Sequence, residues 1–283
     1  SGTLHYRGYS TTILLESGKT MDSFTDTTLE EIVNEVAEKY GNGISIVNSP
    51  TFKNRIPYVQ MQEESAYEFL RRLAWQYGEW FYYNGQELYF GNPHKEKDET
   101  IVYDIDMDSM HFSSQMAPLH FSRHDYMPDS HMDMFGDDSE AVNGINTYLA
   151  NAVQTSENIY TSQTTMYSHT AAGHPLDIEH FTAAEKGRLV ASLVWITGRT
   201  KTCRIRIGEP IVVQIPPNMC ERQDLGRYRI VEVRHTIDAN GAYTNSFKGI
   251  PASMEYIPTE GIRIPVAHAM LAEVTDNADP ENL

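Results

Sequence analysis

Residues 65–91, SAYEFLRRLAWQYGEWFYYNGQELYFG, constrain the fold more than any other part of the sequence. Ser65 and Glu68 stand at the spacing of a capping box, which satisfies two backbone N–H groups at a helix start. Phe69, Leu70, Leu73, Ala74 and Tyr77 then recur on one helical stripe, and Gly78 provides a left-handed stop. EWFYY and QELYF follow as two short strands around Asn84-Gly85, a pair that accepts the positive φ of a tight hairpin. The pattern predicts one helix packed on one hairpin. Phe69, Leu70, Leu73 and Tyr77 would meet a layer supplied by Trp80, Tyr82, Leu88 and Phe90.

The same grammar extends upstream. Thr28 and Glu31 form another capping box, Leu29, Ile32, Val33, Val36, Ala37 and Tyr40 make one stripe, and Gly41 or Gly43 can end it. ISIVNSP reads as a short strand, so residues 28–95 make a helix, strand, helix and hairpin module. Residues 4–15 alternate weakly and read as a strand. Residues 96–181 read as an irregular acidic α+β region, with possible strands near 100–105 and 110–126. Within it, MPDSHMDMFGDDSE has few apolar residues and reads as an exposed loop. Thr182 and Glu185 would cap a third helix over roughly 183–193. Beyond it, residues 182–255 are β-rich, with CRIRIGEPIVVQIP and GRYRIVEVRHTIDANGAYTNSFKGIPA broken by Gly, Pro and Asn-Gly turns, which suggests a small barrel or sandwich. Residues 256–270 carry Pro258 and Pro265 and read as a linker. The fold class expected is α+β and β-rich, with small β-barrel domains and an inserted helix–helix–hairpin module.

Charge and chemistry narrow the function. A net charge of −17 argues against nucleic-acid or anionic-membrane binding. The apolar run LVASLVWI at 189–196 is too short to span a membrane, so no stable insertion is expected. Cys203 and Cys220 give neither a disulfide framework nor a metal spacing, and read as buried small hydrophobes in a reducing compartment. His120 and His124, followed by Asp125, Asp129, His131, Asp133, Asp137, Asp138 and Glu140, imitate a zinc cluster. On a strand, however, the two histidines would stand about 13 Å apart. Asp129 to Glu140 has the span of a calcium loop, but His131 is a poor ligand and its glycine, Gly136, falls two places late. No nucleophile, phosphate-loop or dinucleotide motif occurs. The expectation is therefore no catalytic residue, no metal and no cofactor. A glycan-directed enzyme with paired carboxylates, or a sugar-binding module using the many tyrosines, is the alternative from another class.

The opening stretch, with Gln62 before it, resembles a segment of VgrG proteins of type VI secretion systems and of related bacteriophage tail hub and baseplate proteins. The match runs through Gln62, Ser65, Tyr67, Phe69, Leu70, Arg71, Arg72, Leu73, Ala74, Gly78, Trp80, Tyr82 and Gly85. Residues 8–33 are similar to the end of that family's first barrel and the helix after it, residues 226–252 to the closing strands of its second barrel, and residues 272–283 to the opening of its OB-fold. The resemblance implies a division into 1–27, the end of a first barrel lacking its start; 28–95, the module; 96–181; 182–255, the second barrel; and 256–283, a linker leading to a truncated OB-fold. It also implies a phage tail hub-like homotrimer, not an enzyme, that joins the hexameric tail tube to a piercing needle. Its further partners would be baseplate proteins, a spike-tip protein and effectors. Such a hub is assembled in the bacterial cytoplasm and expelled by the machine. A phage tail or an extracellular injection particle would use the same hub.

Overall fold

The computed structural model describes residues 4–40, 43–92, 97–127, 130–138, 142, 145–219, 224–259 and 261–266. A 3-10 helix over Thr11–Glu16 leads into strand β1 (Thr20–Thr27), helix α1 (Leu29–Tyr40), strands β2 (Ile46–Ser49) and β3 (Ile56–Glu64), and helix α2 (Ala66–Tyr77). Strands β4 (Phe81–Tyr83), β5 (Leu88–Gly91), β6 (Glu99–Val102), β7 (Met107–Ser114), β8 (Phe121–Met127) and β9 (Met132–Asp137) follow. Helix α3 (Thr147–Ile159), strand β10 (Thr164–Tyr167) and helix α4 (Pro175–Ala191) come before β11 (Val194–Thr200), β12 (Pro210–Gln214), β13 (Asp224–Ile237) and β14 (Tyr243–Pro251). None of the helices among the described residues is long and apolar enough to cross a membrane.

The module forms as its caps dictate. Ser65 Oγ accepts from the Glu68 N–H at 3.1 Å, Glu68 returns a bond to the Ser65 N–H at 3.0 Å, and Gly78 closes α2 at φ 74°. Thr28 and Glu31 exchange the equivalent pair at the start of α1. The stripes of both helices turn inward, and Leu29, Ile32, Val33, Val36, Phe69, Leu70 and Leu73 are fully buried in one core with Phe24, Leu88 and Phe90.

The hairpin departs from its sequence reading in two ways. Only Gly85 takes a positive φ, 99°, so the turn passes through Gly85 and Gln86, one residue later than expected. Asn84 acts instead through its side chain, whose Oδ1 accepts from the N–H groups of Gln86 and Glu87, both at 2.8 Å. The face assignment changes too. Phe81 pairs with Phe90 and Tyr83 with Leu88, so Phe81 and Tyr83, not Trp80 and Tyr82, join the helices' core. Cross-strand partners share a face, which puts Trp80 and Tyr82 on the opposite side.

Six strands join in the order β6-β12-β13-β14-β11-β7. β6 and β7 run end to end through a turn at 103–106. There the Tyr103 N–H donates to Gln214 O at the end of β12, and the Lys201 N–H, just past β11, donates to Asp106 O. One turn thus ties both margins of the sheet and curls it into a half-barrel. Ile101, Met107, Ile196, Ile205, Ile211, Val213, Tyr228, Ile230 and Phe247 fill its interior. The β-rich α+β architecture expected from the sequence is present, with the helical module set beside this curled sheet.

Several local expectations are corrected. Residues 4–10 have no regular structure and residues 11–16 form the 3-10 helix, since no neighbouring strand among the described residues pairs with them. Residues 99–137 hold four strands, and Met132–Asp137 is a strand rather than an exposed loop, its Met134 3% exposed. Helix α3 was not foreseen. Helix α4 begins eight residues before the expected start: His174 and Asp177 form its capping box and Pro175 opens it, while Thr182 lies mid-helix and donates to Ile178 O. Strand β12 begins only at Pro210, after turns that follow Cys203. Cys203 is exposed, not buried, and Cys220 lies outside the described residues.

Candidate functional site: an assembly surface and the junction behind it

The reversed face of the hairpin explains how helical module and half-barrel become one body. Trp80 Nε1 donates to Glu255 O at 2.6 Å, and the Arg229 guanidinium lies 4.4 Å from the centre of the Trp80 ring. Arg229 is itself 4% exposed and donates to Gly208 O at 2.9 Å and Ala252 O at 3.2 Å. A buried cation held by carbonyls and an indole face is worth more than the same contact in water. Tyr82 stacks on Tyr89 at 4.9 Å and presses on Gly208, where an added Cβ would come within 2.6 Å of its ring and hydroxyl. Burial pushes the Tyr82 hydroxyl pKa upward. Helix α4 closes the seam, because Gly187 leaves room for the Tyr256 ring.

Next to Trp80, Glu79 is 7% exposed, and its Oε1 accepts from the Thr51 N–H, the Thr51 hydroxyl and the Phe52 N–H at 2.7–2.8 Å. Burial outweighs these bonds and holds its pKa above the ordinary 4.5. The unfolded chain therefore loses this proton at lower pH than the folded protein. The stability Glu79 contributes is intact below the ordinary carboxyl pKa and is lost as pH rises toward the raised one. Glu79→Gln should flatten that slope. Urea midpoints followed from about pH 4 to pH 7 should fall for the wild type relative to the variant; parallel curves would refute the assignment.

One surface suited to contact with another protein is the three-stranded sheet β10-β8-β9. Its inner face lies on α4, so closely that a Cβ on Gly136 would strike Ile178 O and the Thr182 hydroxyl at 2.7 and 2.2 Å. Its outer face is built by the alternate residues His124 and Tyr126 of β8, Asp133 and Phe135 of β9, and Tyr167 of β10. His124 stacks on Phe135 at 4.7 Å and meets the edge of Tyr167 at 5.5 Å. Phe135 is nevertheless 65% exposed and Tyr167 75%. Among the described residues neither outer strand of this sheet pairs with a further strand, and all four residues of β10 are exposed.

This face also absorbs the histidine-rich segment. His120 Nδ1 lies 3.0 Å from Asp138 Oδ2, His124 Nε2 lies 3.0 Å from Asp133 Oδ1, and the Tyr126 hydroxyl lies 3.0 Å from His131 Nδ1. The cluster resolves into separate pairs strung along strands, and no three-residue metal-ligating group occurs among the described residues. Asp129 and Glu140, the ends of the considered calcium loop, lie outside the described residues, and its middle is strand β9. Phe135, Tyr126 and Tyr167 were missed as surface residues. The alternation of Met132, Met134 and Gly136 with Asp133, Phe135 and Asp137 was the available signal.

No protein-family model matches the sequence, nor does any curated protein sequence. Solved structures do match. A tail protein from Neisseria meningitidis MC58 superposes with a TM-score of 0.61 at 8% identity, over 87% of this chain and 74% of that one. The fold is that of phage tail proteins. A 43 kDa tail protein of prophage MuSo2 from Shewanella oneidensis shares it with a TM-score of 0.58 at 14% identity, over 89% of this chain and 73% of that one. So does an E. coli component of the type VI secretion system, itself structurally similar to the T4 bacteriophage tail proteins gp27 and gp5 (TM-score 0.53, 12% identity). That match covers 90% of this chain and 56% of the E. coli protein. At these identities the likeness is one of fold.

Proposed function

We infer that the chain is a structural hub component of a contractile injection machine. The observation that carries this reading is the tail-protein fold, which extends over 87–90% of the chain in three comparisons. In its specific form the hub is of the VgrG type. It is a homotrimer that seats a needle on the hexameric tail tube, contacts baseplate proteins, and works with a spike-tip protein and effectors. The likeness to a type VI secretion component supports that form; a phage tail or extracellular particle would use the same part. Residues 1–27 then belong to a first barrel and residues 256–283 lead toward an OB-fold. The protein is assembled in the cytoplasm and expelled with the spike. Its work is mechanical, and the tight Trp80–Arg229 junction suits a part that transmits load without hinging.

The test is to shear injection particles from producing cells, quantify the chain by mass spectrometry and label it for electron microscopy. The expected result is one trimer per particle, at one end of the tube. Absence from the particles, or a copy number matching tube or sheath subunits, would overturn the reading.

A further inference from the structure

Strand β14 ends at Pro251, yet the chain does not leave the folded body there. Residues 252–256 form a strap that crosses from the half-barrel to the helical module, and successive residues grip different elements. The Ala252 N–H donates to Arg227 O of β13 at 3.0 Å, and Ala252 O accepts from Arg229 at 3.2 Å. Met254 is 2% exposed, in a core with Val190 and Ala191 at the end of α4. Glu255 O accepts from Trp80 Nε1 at the start of the hairpin. The Tyr256 ring then enters a slot between the end of α2 and α4. A Cβ on Gly78 would stand 3.0 Å from one edge of the ring and a Cβ on Gly187 2.1 Å from the other, so two missing side chains make the slot. Farther on, the Ser65 N–H and Lys19 hold the Glu68 carboxyl below its ordinary pKa and Arg263 adds to them, so the chain has reached the first turn of α2.

We propose that the strap is a load anchor: tension on the chain beyond Thr259 passes through Tyr256 into α2 and α4 before it reaches β14. The hydrogen bonds at a strand end break one at a time when the chain is drawn away from its sheet. A ring lodged between two helices has to be withdrawn whole, and the close-packed residues around it share the strain. Without the anchor, tension would fall on Pro251 and draw β14 out from between β13 and β11, opening the half-barrel from its middle. The inference rests on the hub reading, in which the chain after the strap leads toward the needle, and it adds where the needle's pull enters the hub.

The test stretches single copies of the full chain between handles at its two ends, after thermal melting has shown that each variant is folded. In the wild type no early event should precede unfolding of the module and half-barrel. Tyr256→Ala should add an earlier, lower-force event that frees β14 and the strap, residues 243–256, up to about 50 Å of extended chain. Gly187→Ala, whose methyl displaces the ring and leaves the strap's own sequence intact, should add the same event; if one variant fails to fold, the other carries the test. Moving one handle to the turn between β13 and β14, at Ala239→Cys with Cys203→Ser and Cys220→Ser, takes the strap out of the loaded path. Forced opening follows the unfolding rate of the contacts under load, so neither variant should there add an event that the wild type lacks. An early event in the wild type, its absence from a folded variant, or the same added event in both pulling geometries would overturn the anchor. A chain without the anchor leaves its place at the tube end untouched, and a chain absent from particles leaves the anchor untouched, so the two readings fail separately.

Discussion

Phe69→Ala should cost about 3–5 kcal/mol of folding stability, among the largest effects of any single truncation in this chain. Phe69 is fully buried, stacks on Phe24 at 5.6 Å, and has the Arg72 guanidinium 5.2 Å from its ring centre. Removing the ring therefore does three things at once. It deletes apolar burial, leaves a cavity between α2 and the β1-β3 ribbon, and takes one wall from a buried cation. The neighbours Leu29, Ile32, Leu70 and Leu73 belong to rigid helices and cannot close the gap. Chemical denaturation should show a lower midpoint at unchanged m-value. A control at Tyr58, about half exposed on β3, should change stability by less than about 0.5 kcal/mol when replaced by Ser. A Phe69→Ala variant as stable as the wild type would mean that α2 and the hairpin do not form the core described above.

Arg72→Ala should be nearly as costly, about 3–5 kcal/mol, for an electrostatic reason. Its Nε and Nη2 donate to the two oxygens of Glu64, both at 2.7 Å, while Nη1 reaches Gln76 Oε1 at 2.9 Å and Nη2 also reaches Gln60 O at 2.7 Å. Arg72 and Glu64 are each 4% exposed. Deleting the arginine leaves a buried carboxylate without its counter-charge. The pair itself gives up solvation to form, so its net worth is smaller than the cost of breaking it. A joint change, Arg72→Met with Glu64→Leu, should therefore recover most of the loss. A double-mutant cycle measures the coupling. If Arg72→Ala alone cost under about 1 kcal/mol, as surface pairs do, the pair would have to be exposed to solvent in solution.

What the sequence disclosed and what it hid follow a physical line. Both module helices were readable to the residue at their starts, because a capping box is a contract among four neighbours. The hairpin was readable as a hairpin, and its facing was readable from parity: a two-residue turn, at 84–85 or 85–86, pairs even positions with odd ones, so Leu88 and Phe90 share a face with Phe81 and Tyr83. Composition hid this, because Trp80 and Tyr82 are aromatic just as Phe81 and Tyr83 are. Helix α4 was displaced because its cap is His174 with Asp177, a pairing less distinctive than Ser65 with Glu68. Helix α3 buries Leu149, Ala152 and Ser156, a stripe too small and polar to register as apolar. The exposed sheet was hidden because its outer face is acidic, so a two-residue alternation looked like a polar loop. The half-barrel depends on pairings such as β6 with β12, whose residues 99–102 and 211–214 lie more than a hundred positions apart. Nothing local specifies that closure.

The Trp80–Arg229 contact has a further consequence for how the protein comes apart. If the hairpin opened alone, a buried guanidinium on the half-barrel would lose its indole wall, and if the half-barrel opened alone, the indole would lose its carbonyl partner at Glu255. Each half's partial unfolding is penalised by the other, which raises the free energy of every half-open state toward that of global unfolding. Amide exchange in α2, β4, β13 and β14 should then draw on one shared opening event. The helical-module core and the half-barrel core then open as a single cooperative unit, with neither a low-cost place for unfolding to begin.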